Sequence, residues 1–150
     1  MKNFIKVIKI LLLILCMGTI FFFSSDNGER SSGKSHSLVY SVGEFFMGRN
    51  LTEKEKEYYV EHFDTPVRKL AHFTIYFLLG VLFISNLKEY SVLTKKSILY
   101  TIIFVFLYAC SDEIHQLFVN ERSGEILDVL LDTIGGSCSS YLYYLFRSKK

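Results

Sequence analysis

SILYTIIFVFLYACSDEIHQLFV, residues 97–119, decides the fold. Ile98 to Cys110 is an apolar run broken only by Thr101 and tyrosines, and it is long enough with its flanks to cross roughly 30 Å of hydrocarbon as a helix. Asp112, Glu113, His115 and Gln116 then arrive together before Leu117, Phe118 and Val119 resume the apolar pattern. An acid at the centre of such a span costs roughly 2.5–3.5 kcal/mol on the insertion scale, while each Ile, Leu, Phe or Val returns roughly 0.3–0.6 kcal/mol. The segment can therefore insert, but its acids need a polar interior to face. On a helix Asp112 and Gln116 share a face one turn apart, with His115 about 60° to one side and Glu113 about 100° to the other.

Three further apolar blocks lie around it. Residues 5–23 follow Lys2, Lys6 and Lys9 and resemble the start of a signal peptide, but no small-x-small cleavage pattern comes after Phe23, so the block is expected to stay as a first span. Spans are also expected over about 67–87 and 126–146. The predicted fold is all-α, a four-transmembrane-helix bundle forming a single domain over residues 1–150. Half of the chain is apolar and the net charge is only +2, with no basic stripe interleaved with aromatics, so a nucleic-acid partner is excluded. Cys16, Cys110 and Cys138 sit within apolar blocks, at no metal-type spacing.

Residues 24–66 make a polar connection of mixed charge ending at Pro66, the chain's only proline. Leu38, Val42 and Phe45 recur at helical spacing, and Thr52 with Glu55 forms a capping-box pattern for a second helix through Phe63. Both predict short helices lying at the membrane surface. Basic residues cluster before the first span, at Lys88, Lys95 and Lys96, and at Arg147, Lys149 and Lys150. The positive-inside rule places all three clusters, and so both termini, in the cytoplasm. The 24–66 connection and the Asn120–Glu125 turn then lie outside, and every charge within a span falls at its outer end.

Arg68, His72 and Tyr76 recur every four residues and drift only about 40° per step, which makes a polar stripe on the second span. Lys69 reads as a residue that snorkels to the headgroups. On the fourth span Asp128 and Asp132 share a band of about 60° with Gly135 and Ser139, small residues that let helices approach closely. The polar cluster expected at the outer end is Arg68, His72, Tyr76, Asp112, Glu113, Gln116, Arg122, Asp128 and Asp132, with Arg68 and Arg122 neutralising part of the acids and Gln116 and Tyr76 closing hydrogen bonds around them.

These residues, together with Ser24-Ser25, resemble the VanZ-like family: Val67-Arg68-Lys69-x-x-His72-Phe73-x-x-Tyr76, Asp112-Glu113-x-x-Gln116, Arg122, and Asp128-x-x-x-Asp132-x-x-Gly135. Asn120-Glu121 departs from the family's frequent Pro-Gly turn, and Asp132 stands where Asn is also common. The resemblance implies a small polytopic protein of the bacterial cell membrane, with a namesake tied to low-level resistance to the glycopeptide teicoplanin; it supplies no molecular activity.

Three functions compete on these residues. A non-enzymatic envelope protein would bind a membrane lipid or lipid-linked cell-wall precursor headgroup in an outer-facing pocket, altering access of glycopeptides; no readable nucleophile–base pair argues against it. An intramembrane enzyme would use the acids and His72 or His115 for proton exchange, or for a metal, on a lipid-linked substrate. A proton- or ion-coupled transporter is the third, weakened by four short spans without discontinuous helices. No cofactor or metal site is expected.

Overall fold

The computed structural model describes residues 2–90 and 94–148. Among them the chain forms five helices and no strand: α1 Lys2–Ser24, α2 Gly28–Met47, α3 Glu53–Glu89, α4 Lys95–Gln116 and α5 Ile126–Ser148. Lys149 and Lys150, which enter the topology reading, lie outside the described residues. Three helices, α1, α3 and α4, are long and apolar enough to cross a membrane, not four. The exception is α5, whose Asp128, Asp132 and run of Gly and Ser residues dilute its apolar content.

α3 touches all four other helices, and α5 packs in the angle between α3 and α4. Lipid is as apolar as leucine, so burial alone gives helices little reason to associate there, and close approach through small residues takes over. The α3–α5 seam is built that way. A Cβ on Gly80 would meet Ser139 Oγ and lie 2.6 Å from the Gly136 carbonyl, while one on Gly135 would lie 2.7 Å from the Phe73 carbonyl. Gly136 faces the third helix of the group, where its Cβ would stand 2.7 Å from the Val105 methyls. Around this contact lies a buried core of Tyr76, Leu79, Val105, Ala109 and Val129, which Cys16 and Ile20 close from α1.

The polar connection departs from two short surface helices. α2 is one, capped by the Asn27 side chain, which accepts from Arg30 N at 2.9 Å, and ended by Gly48 with φ of 65°. Its small residues Ser35, Val39 and Gly43 face inward, leaving Leu38, Val42, Phe45 and Phe46 exposed. The second is not separate. It starts at the expected capping box, with Thr52 N donating to Glu55 at 2.9 Å, but runs on through Pro66 as the first third of α3. A proline inside a helix costs about 3 kcal/mol, by a lost hydrogen bond and a crowded carbonyl one turn back. Here α2 holds the preceding turn in line, because Ser35 donates to Asp64 and His36 Nε2 stands 3.6 Å from the same carboxylate. At about 1.5 Å per residue α3 reaches about 55 Å, well beyond a bilayer's apolar thickness.

The expected third span through Val119 ends earlier, at Gln116. Leu117 N turns back to the Glu113 and His115 carbonyls, and the exposed Leu117 and Phe118 belong to the turn that follows. That turn contains Glu121 at φ 60°, a left-handed conformation that favours glycine.

Candidate functional site

The C-terminal ends of α1 and α4, the start of α5 and the middle of α3 bring the polar residues together on one side of the molecule. Arg122, in the α4–α5 turn, stitches them together. Its Nε and Nη2 donate to the carbonyls of Asp26 and Phe23 at 3.2 and 3.3 Å, and its Nη1 donates to Gln116 Oε1 at 3.2 Å. Gln116 Nε2 lies 3.3 Å from both Asp112 and Glu113, and Glu113 accepts from the Glu125 backbone at 2.8 Å. Asp112, Glu113 and Gln116 are all buried, so their polar atoms must be matched within the protein, and the amide of Gln116 links the two acids to the guanidinium. His115 turns the other way, stacking on Phe21 with ring centroids 4.5 Å apart and meeting Ser25 Oγ at 3.1 Å.

The α3–α5 seam carries the remaining acids. Lys69 Nζ donates to Asp128 at 2.8 Å and lies 3.7 Å from Glu125, which corrects its reading as a free snorkelling residue. One turn deeper, His72 Nδ1 stands 3.6 Å from Asp132 Oδ2. That separation is too long for a hydrogen bond. Among the described residues, His72 Nδ1, both carboxylate oxygens of Asp132 and the hydroxyl of Tyr76 are buried without a hydrogen-bond partner. The expectation that Tyr76 closes a hydrogen bond in the cluster is therefore not met, whereas Gln116 fulfils it.

Nor do Arg68 and Arg122 pair directly with the acids. Successive helix residues are rotated by about 100°, so only one of Arg68 and Lys69 can face α5. Lys69 lies about 20° from the direction of Tyr76 and Arg68 about 80°, on the same arithmetic. Lys69 takes the acids, and Arg68 is turned into a cavity of about 300 Å³ between α1, α2 and α3. Arg68, His72, Arg122, Lys34 and Asp26 supply its polar wall, and Ile20, Phe23, Leu38, Val67 and Ile75 make most of the rest apolar.

Charge in this cavity is unbalanced. Asp26 is buried and already committed to Lys34 and to Arg30, whose Nε lies 3.3 Å away. The Lys34 hydrogen bond, followed by the Lys34 and Arg30 charges, holds its carboxyl below the usual aspartate range. Among the described residues Arg68 has no carboxylate within ion-pair distance. Burial, and next the like charge of Arg68, pull the Arg122 guanidinium below its ordinary range. Asp26 and Lys34 were not among the candidate residues. Their signal is weak: two ionic residues eight apart in a polar loop look solvated until the fold closes α2 over them.

Among the described residues no three His, Cys, Asp or Glu side chains are grouped as a metal ion would require. The architecture is that of a helical membrane protein with a polar group at one end of its bundle. A family model described as VanZ/LLP1 matches residues 9–147, nearly the whole chain, and the protein belongs to that family. No curated protein and no solved structure matches it.

Proposed function

We propose that the cavity beside Arg68 binds the anionic headgroup of a membrane lipid or lipid-linked cell-wall precursor. The observation that carries this reading is Arg68 itself, a guanidinium aimed into a mostly apolar cavity with no acid to neutralise it, facing a second one at Arg122. Guanidinium groups match phosphate oxygens in charge and geometry. Ile20, Phe23, Leu38 and Ile75 give an acyl or prenyl chain an apolar surface next to that charge.

In this reading α5 crosses the membrane with α1, α3 and α4, since it packs against both α3 and α4, its Asp128 and Asp132 meet α3, and its outward face is apolar. Both termini are cytoplasmic and the cavity opens at the extracytoplasmic leaflet. Lys9 paired to Glu89 and Lys6 over the Tyr90 ring support a common basic end opposite the cavity. Holding a precursor headgroup there would alter access of a glycopeptide such as teicoplanin to its target. The protein purified in mild detergent should carry a lipid with a net anionic phosphate headgroup, identifiable by mass spectrometry, and lose it on Arg68→Ala. A purified protein that retains only zwitterionic lipid would overturn the reading.

A further inference from the structure

Resting on that reading, the pocket holds more than an anion needs. His72 lines the cavity, and its buried Nδ1 stands 3.6 Å from Asp132, which is wholly buried and, among the described residues, has no hydrogen bond to either oxygen. A buried carboxylate without a hydrogen bond is costly, and packing alone gives no reason for one there. A carboxylate beside one imidazole nitrogen can orient the ring and stabilise the imidazolium formed when the other nitrogen takes a proton, and the 3.6 Å gap needs to close by only a few tenths of an ångström for that contact to become a hydrogen bond.

We infer that the pocket hydrolyses the phosphate monoester of the lipid it binds, with His72 as the acid–base group and Asp132 as its positioning residue. Water is the co-reactant. As its oxygen attacks phosphorus, its proton passes to His72 Nε2; the new P–O bond forms while the ester P–O bond to the lipid breaks. The departing alkoxide takes the proton back from the imidazolium, leaving a free alcohol, inorganic phosphate and neutral His72. Arg68 and Arg122 sit where they would hold the non-bridging oxygens, whose charge is what the protein must stabilise in phosphoryl transfer. The groups acting on His72 from neighbouring helices are Asp132 and Asp128 of α5 and Asp112 of α4.

The test uses the full chain in phosphatidylcholine nanodiscs with dioleoyl phosphatidic acid as probe, and glycerol phosphate as the soluble source of the same chemistry. Phosphate release in ¹⁸O-water should place one ¹⁸O in the phosphate from phosphatidic acid, with little turnover of glycerol phosphate. His72→Gln should lower kcat about 100-fold or more. The nearly isosteric Asp132→Asn should lower kcat while leaving KM unchanged, a split that a merely structural role would not produce. Wild-type protein that binds phosphatidic acid without releasing phosphate, or His72→Gln that turns it over at the wild-type rate, would overturn hydrolysis while leaving headgroup binding standing. Protein that neither binds nor hydrolyses it would remove both.

Discussion

Lys69 Nζ lies 2.8 Å from Asp128 Oδ1, and this contact marks the rotation of α3 against α5, with Lys69 in the seam and the preceding Arg68 at the cavity. The arrangement divides two neighbouring cations between two tasks. One neutralises an acid of the bundle, and the other keeps its charge available.

Both partners of that pair are partly exposed, with side-chain exposures of 35% and 23%, so its contribution to stability should be small, about 0.2–1 kcal/mol. A double-mutant cycle of Lys69→Ala and Asp128→Ala, read by unfolding in micelles, should give a coupling in that range. A coupling above roughly 3 kcal/mol would mean that the seam closes off the pair as fully buried.

Gly135→Leu should destabilise the fold by about 1–3 kcal/mol or more, since even its first carbon would lie 2.7 Å from the Phe73 carbonyl, a backbone atom unable to move away alone. Ile134→Leu changes an exposed position and should be nearly neutral. Thermal unfolding of the two variants in the same detergent separates them, and equal midpoints would contradict the seam.

Much of this was legible in the sequence because helical periodicity and the cost of buried charge are strong signals. The apolar blocks located α1, α3, α4 and α5, the Thr52–Glu55 pattern located the start of α3, and the acids at 112, 113, 128 and 132 located the polar end. What was not legible depended on backbone or on rotation. Arg122 was expected in the cluster, but its bonds to the carbonyls of Phe23 and Asp26, which any residue would offer, were announced by no side-chain pattern. The assignment of Arg68 and Lys69 turned on about 100° of helix phase, which a four-residue spacing with His72 pointed to the wrong member of the pair. The continuity of α3 through Pro66 rests on α2 packing beside it, a tertiary contact that overrides the local preference.

Acid should loosen the corner where α1 meets α2. The folded Asp26 carboxyl titrates below its unfolded value of about 3.9, so its contribution is complete above that pH and is lost as pH falls through the lower, folded value. Unfolding midpoints followed downward from about pH 5 should fall more steeply for wild type than for Asp26→Asn. Parallel curves would show that Asp26 is not held by Lys34 and Arg30.

Single cysteines at the exposed positions Glu57 and Ser123, in a background lacking Cys16, Cys110 and Cys138, should react with an impermeant maleimide added to intact cells. Labelling of both only after permeabilisation would reverse the orientation and move the cavity to the cytoplasmic leaflet.

The central claim is that Arg68 and Arg122 make an anionic-headgroup site, and the affinity of the purified protein for phosphatidic acid against phosphatidylcholine, titrated by native mass spectrometry, tests it most directly. Each charge-assisted hydrogen bond to phosphate is worth about 1.5–3 kcal/mol, and 1.4 kcal/mol is a factor of ten in Kd. Wild-type protein should prefer phosphatidic acid, and Arg68→Ala should weaken that binding about tenfold or more with phosphatidylcholine unaffected. Equal affinity for the two lipids, or an Arg68→Ala variant that binds phosphatidic acid as tightly as wild type, would contradict the account.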